Sequence, residues 1–308
     1  MNVSQWRPHK EIQIVAGTPP GGGLDRTARA LLASLESARL LDVPAKVVNV
    51  PGGGARKAWA YMDQYAGDAH VLSISSPNLT TDYLTGVAKF NQDSYTPLAI
   101  LYNEYIAFVA RADSRFQTSA DLLKQFAVDA GAVTVALSTA AGNPNHIAVA
   151  QVIQHAGGNA RAPKIRVFDS ALDAVADVIA GHADIGTITA ASAVPELNAG
   201  RLRALAVSSP QRLAAPYAQT PAWLEQGVVC DIGAWRGVSG AHGITPPQTA
   251  FWENKLTAAC ASAAWKAALA HHDWTPLLLS GAALRGHLAR ETAQIALLLD
   301  ELGLRCQS

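Results

Sequence analysis

The chain has 308 residues, 49% of them hydrophobic and 16% charged. That composition excludes general disorder and is long enough for two domains or one large α/β unit. Lys plus Arg equals Asp plus Glu at 24 each, and no run of like charge occurs. There is accordingly no electrostatic footprint for nucleic acid or an anionic membrane.

The first eleven residues, MNVSQWRPHKE, have no apolar h-region. They fit a chain that never carried a signal peptide, or one shown with it removed and Met1 added. No stretch reaches the ~18 apolar residues of a membrane span. Beyond them, β-rich runs alternate with helical patterns, which predicts α/β architecture with mostly parallel strands. Strands are expected at 12–16, 45–49, 71–75, 99–102, 107–111, 134–137, 165–167, 185–187 and 204–207. Helices are expected at 24–37, 119–126, 145–155, 171–180 and 193–199. The C-terminal third reads as helix-dominated, with helices at 247–261, 262–271 and 281–302.

The first strand runs into three glycines and then a helix, in VAGTPPGGGLDRTARALL. A Walker A loop is excluded, because Gly23 and Leu24 stand where Lys and Ser/Thr belong. A dinucleotide fingerprint is excluded because Arg26 replaces its third glycine. What remains is backbone N–H groups free to approach a carboxylate at a helix start. Asp25 in the first turn reads mainly as a structural complement to the helix dipole. A second glycine turn, Pro51 to Gly54, follows the next strand and precedes a helical stretch with Trp59 and Tyr61; it either supports the first loop or simply closes a turn.

The pattern repeats in VALSTAAGNPNHIAVAQVI from Val135, so two helix starts in one chain are suited to an anion. His146 either donates a hydrogen bond to a bound carboxylate or braces its own loop. GxSxG and HExxH are absent, and His271-His272-Asp273 reads as a solvated helix end. No metal site or cofactor is expected. Cys230, Cys260 and Cys306 lack paired spacing and read as free thiols, with one bridge plus one free thiol as the alternative.

Taken in order, PPGGGLDRTAR, VVNVPGGG, NPNHIA, AGRLRALAVSS, AWRGV, SAAWKAAL and DELGL resemble the extracytoplasmic solute receptors of tripartite tricarboxylate transporters, the Bug-type family. The likeness runs from about Ile12 to Leu304 and is nearest to the citrate-type branch. It implies a two-lobed periplasmic-binding-protein-like fold of type II, with a ligand cleft between lobes, two strand crossovers at a hinge and no catalysis. The lobes implied are 1–103 and 225–308 for the first, with 104–224 inserted as the second. Carried over by position, the first ligand loop takes in Thr18, Pro20, Gly21, Gly22, Gly23 and Asp25. The second takes in Ser138, Gly142, Asn143, Asn145 and His146. Ser75, Ser76 and Asn78 on the first lobe, and Asp169, Ser170, Thr187 and Thr189 on the second, are expected to line the cleft, with Tyr105 a weaker candidate.

The resemblance further implies a monomeric periplasmic receptor, its signal peptide removed, that passes a small carboxylate to membrane permease subunits. Two departures from the citrate-type pattern bear on the ligand. Asp169-Ser170-Ala171-Leu172 replaces a glycine run and brings an acid that would repel a tricarboxylate, and Pro144 removes a backbone donor. A smaller dicarboxylate, an aromatic acid or a polar ligand with a donor for Asp169 suits both changes. The competing readings are an enzyme built on the same scaffold, with His146 or Asp169 recruited for acid/base work, and a receptor that reports to a sensor kinase.

Overall fold

The computed structural model describes residues 6–306. Met1 and the start it represents lie outside them, as does Ser308. The chain forms two compact units. The first comprises residues up to Tyr83, Val87–Asn103 and Trp235–Gln294; the second comprises Leu84–Gly86, Glu104–Ala234 and the residues from Ile295 onward.

In the first unit, β1 (Ile12–Ala16) is followed by α1 (Gly23–Ser37), β2 (Ala45–Asn49), α2 (Arg56–Met62), β3 (Val71–Ser75), α3 (Asn78–Leu84) and β4 (Thr96–Asn103). The second unit carries β5 (Ile106–Arg111), α4 (Ser119–Asp129), β6 (Thr134–Ser138), α5 (Pro144–His155) and β7 (Lys164–Phe168). It continues with α6 (Ala171–Ile179), β8 (Ile185–Thr189), α7 (Ala190–Asn198) and β9 (Leu202–Val207). The chain then re-enters the first unit with β10 (Arg236–Gly240), α8 (Pro246–Ala261), α9 (Ala263–His271) and β11 (Thr275–Ser280). The last helix, α10 (Gly281–Leu302), starts in the first unit and ends in the second.

The first sheet has the order β11-β4-β10-β3-β1-β2 and the second β7-β6-β8-β5-β9. Both are mixed, which corrects the expectation of mostly parallel strands. β1 pairs in parallel with β2 and β3, whereas β10 runs antiparallel to both β3 and β4, and β11 antiparallel to β4. In the second sheet β6 is parallel to β7 and β8, while β5 is antiparallel to β8 and β9. The reason is connectivity: β10 arrives after the whole second unit rather than through a local βαβ crossover, so the right-handed parallel rule does not govern it.

Each sheet is covered by helices. In the first unit the apolar stripe of α1, with Leu24, Ala28, Leu31 and Leu35, is buried against β1 and the C-terminal tryptophans Trp252, Trp265 and Trp274. In the second unit Ile147, Ala148 and Val152 of α5 pack on the face carrying Val135 and Ile185, and α6 and α7 cover the other face through Val175, Val178 and Ala193. Among the described residues no helix is long and apolar enough to cross a membrane.

Candidate functional site

The first loop is built around Asp25, which is buried. Its Oδ2 accepts the Gly21 N–H at 2.8 Å and the Arg29 Nε–H at 2.9 Å, and its Oδ1 accepts from Asn49 Nδ2 at 2.8 Å. Burial works to raise this carboxyl. The hydrogen bonds from Arg29, Asn49 and Gly21 outweigh it and hold the group below the ordinary carboxylate value. Asp25 therefore serves as the brace beneath the loop, its oxygens already committed. Thr18 completes the frame: its Oγ1 accepts the Asp25 N–H at 3.1 Å, and its carbonyl accepts from Asn49 Nδ2 at 2.9 Å.

This frame leaves specific donors unspent. Gly22 N–H is used by the Pro19 carbonyl at 3.0 Å and Arg26 N–H by the Gly22 carbonyl. The Gly22 cap supplies no side chain, so the N–H groups of Gly23 and Leu24 have no acceptor among the described residues. A Cβ on Gly22 would come within 2.6 Å of Thr18 Cβ, so glycine is needed there for the loop to close on itself. Pro20 and Gly21 are exposed at the loop tip. Ser75 ends β3, Ser76 accepts the Leu79 N–H through its carbonyl, and Asn78 opens α3.

One further residue was not singled out in the sequence. Arg236, 8% exposed, begins β10, and its Nη1 donates to the Trp235 carbonyl at 3.2 Å. Its Nη2 lies 3.8 Å from the position a Cβ on Gly23 would take. A buried cation therefore stands beside the first turn of α1, where the helix dipole is already positive. The sequence signal was an arginine in the short, glycine-flanked run WRGVSG, a place where a buried strand would otherwise be apolar.

The second loop repeats the principle with different parts. Asn143 caps α5: its Oδ1 accepts the His146 N–H at 3.1 Å, and its Nδ2 donates to the Ser138 carbonyl at 2.6 Å and to Thr139 Oγ1 at 2.7 Å. Asn145 Nδ2 donates to Ser138 Oγ at 3.1 Å. His146 Nδ1 accepts the Gly142 N–H at 3.0 Å. Burial pushes the imidazole down to about 4, so the ring is neutral at physiological pH and carries its proton on Nε2. Of the two roles open to His146, this geometry assigns Nδ1 to bracing the loop. Pro144 has no N–H, and the Asn145 N–H has no acceptor among the described residues.

Around it, Asp169 is exposed with no ion-pair partner among the described residues. Ser170 caps α6, accepting the Asp173 N–H at 3.2 Å and donating to Asp173 Oδ2 at 2.7 Å. Thr187 is fully buried, and its hydroxyl has no partner among the described residues. Thr189 Oγ1 pairs with Ser192 Oγ at 2.9 Å, and the Tyr105 carbonyl accepts the Ala190 N–H. Among the described residues no group of His, Cys, Asp and Glu is placed to hold a metal ion, and all three cysteines are free.

The family model for the tripartite tricarboxylate transporter family receptor matches residues 29–304. Protein BugT of Bordetella pertussis (strain Tohama I) is 24% identical over 305 residues, which is 97% of this chain and 91% of that protein. The crystal structure of a TctC solute binding protein from Polaromonas, solved without ligand, is similar at 25% identity and a TM-score of 0.70, over 96% of this chain and 99% of that one. MatC from Rhodopseudomonas palustris, solved with bound malate, shares the fold at 18% identity and a TM-score of 0.75, over 96% of this chain and 99% of that one. The architecture is thus that of the periplasmic binding proteins. By the extent of that match, the chain belongs to the tripartite tricarboxylate transporter receptor family.

Proposed function

We propose that this protein is a periplasmic receptor that captures a small dicarboxylate and delivers it to the membrane subunits of a tripartite transporter. The observation that carries the reading is the first loop. Two unspent N–H groups, Gly23 and Leu24, open a helix beside the buried Arg236 guanidinium, so donors and positive charge coincide where a carboxylate would dock. The second loop offers the Asn145 N–H at the start of α5. MatC, similar in fold, was solved with malate, a small dicarboxylate, and each helix start by itself offers N–H donors to one carboxylate group. The exposed Asp169 disfavours a third carboxylate.

No side chain in either loop is poised for turnover. Asp25 is fully engaged, and His146 spends Nδ1 on its own loop. The test is calorimetry against four- to six-carbon dicarboxylates, citrate and monocarboxylates, with the recovered ligand checked by mass spectrometry. Saturable binding of a dicarboxylate, returned unchanged, is expected. Binding of monocarboxylates alone, or chemical conversion of the ligand, overturns the reading.

A further inference from the structure

A second group of donors gathers at the first turn of α1, made by side chains rather than by the loop N–H groups. The Arg26 guanidinium spends Nη1 on the Gly21 carbonyl at 2.9 Å. Its Nε and Nη2 are shut off from solvent and have no acceptor among the described residues. Trp274, 3% exposed, is in the same condition at Nε1. His272 connects the two. Its ring stacks on Trp274 with centroids 4.4 Å apart at 30°, and burial, then the positive charges of His271 and Arg26, push its imidazole down to about 4. The other face of Trp274 stacks on Tyr102 at 4.1 Å and 13°. The Tyr102 hydroxyl in turn bonds Thr27 Oγ1 at 2.7 Å, one residue beyond Arg26. The turn between α9 and β11, with Asp273 in the left-handed region at φ 53°, thus sets Trp274 and His272 against the first turns of α1. Burial pushes the Asp273 carboxyl up, and the nearby His271 opposes that shift.

Buried donors without acceptors are few in native proteins, and a bound water or ion is one of the arrangements that satisfies them. Leaving such a donor unmade costs about 1–3 kcal/mol, more when it is charged. The two idle nitrogens of Arg26 are also a particular pair, since Nε and Nη2 form the side-on edge of the guanidinium that takes two oxygens of one anion in parallel. A neutral imidazole and an apolar indole face supply no competing negative charge. We infer that Arg26, Trp274 and His272 form a binding site for a small oxyanion, a phosphate, sulfate or carboxylate group, on the flank of α1. Because Arg26 also holds the Gly21 carbonyl, occupancy of this site steadies the tip of the first loop.

The test is calorimetry on the full chain with sodium phosphate and with sodium acetate, each at matched ionic strength against chloride. In parallel, the His272 ring is followed by NMR across pH. Saturable binding is expected, with the His272 titration moving to higher pH as the anion concentration rises. Preference for phosphate or for acetate identifies an inorganic oxyanion or a carboxylate as the natural occupant. Arg26→Lys keeps the charge and lacks the fork, and should weaken binding about tenfold. Trp274→Phe keeps the ring stack and lacks the donor, with a loss of similar size. Should Trp274→Phe unfold, Arg26→Lys alone decides. Two results overturn the inference: no saturable response in the wild type, which leaves ordered water as the occupant, or binding unchanged in Arg26→Lys, which puts the anion at the loop N–H groups instead.

Discussion

Three hydrogen bonds converge on the Asp25 carboxylate, and each comes from a different part of the first loop's frame: its tip, its helix and the end of β2. Removing the acceptor takes one of the two acceptors of the half-buried Asn49 amide and frees the Gly21 N–H. Asp25→Ala should therefore destabilise the protein by about 2 kcal/mol, a drop of roughly 4–8 °C in Tm, with a parallel loss of ligand affinity. The pH dependence has a definite sign. A carboxyl held below its unfolded value contributes stability at pH above about 4, and that contribution disappears as pH falls through the folded value. Asp25→Asn should flatten the acid limb below about pH 4 relative to wild type, measured by denaturant unfolding. His146 acts in the neighbouring window. Its folded value of about 4 lies below the unfolded 6.5, so the unfolded chain binds the extra proton between them and stability rises with pH over that range. His146→Gln, which can still accept the Gly142 N–H, should remove on the order of 3 kcal/mol of that slope. An unchanged slope would show that the ring is solvated. These roles are only half-written in the sequence. An acid in a helix's first turn suggests a dipole partner, but nothing in GGGLDR shows that Asn49, 24 residues on, will deliver a donor to it.

At the scale of elements, the strands β1, β2 and β3 and the long helices α1, α5, α8 and α10 were legible to within a residue, because their apolar periodicity is regular and their ends carry glycine, proline or a cap. β10 and β11 were not. RGVSG has no β-branched run, yet every residue in it is buried, because β10 sits between β3 and β4 in the centre of a sheet. Gly237 is required there, since a Cβ would come within 2.5 Å of the Ala99 carbonyl. Packing between strands far apart in sequence makes this strand, and local propensity does not report it. β11, TPLLLS, carries Pro276 and is an edge strand, which blurs its signal further. The loop before α1 offers a sharper test. Gly21 and Gly22 are adjacent, but they demand glycine for different reasons. Gly21 has φ +82° and open space where a Cβ would go, so Gly21→Ala should cost about 1 kcal/mol through backbone strain alone. Gly22→Ala would drive a methyl into Thr18 and break its bond to the Asp25 N–H. It should cost about 1–3 kcal/mol and reduce ligand affinity more than Gly21→Ala does, with calorimetry and thermal melts on both variants as the check.

For the molecule as a whole, the informative element is α10, which is continuous in sequence but serves two hydrophobic cores. Leu284 and Leu288 pack with Trp235 and Ile100 in the first unit, whereas Ile295, Leu299 and Leu302 are buried with Phe126, Ile147 and Ile153 in the second. An unbroken helical pattern from Gly281 to Leu302 contains no mark of that change of allegiance, so it could be read only from the folded chain. Near the changeover, Trp235 Nε1–H bonds both Glu291 oxygens at 2.8 Å, and burial, opposed by that bond, pushes the carboxyl up to about 7. Its folded value exceeds the unfolded one, so stability falls as pH rises from about 4.5 to 7, and Glu291→Gln should remove that fall. Removal of residues 295–308 tests the two-core arrangement more directly. It takes away three buried aliphatic side chains, each worth about 1.5–3 kcal/mol, from the second unit and none from the first. Hydrogen exchange should then accelerate in β5, β6 and α5, while β1, β3 and α1 keep their protection. Equal acceleration in both units would mean that they unfold as one cooperative body, and the role of the last turns of α10 would then be stabilisation of the whole molecule.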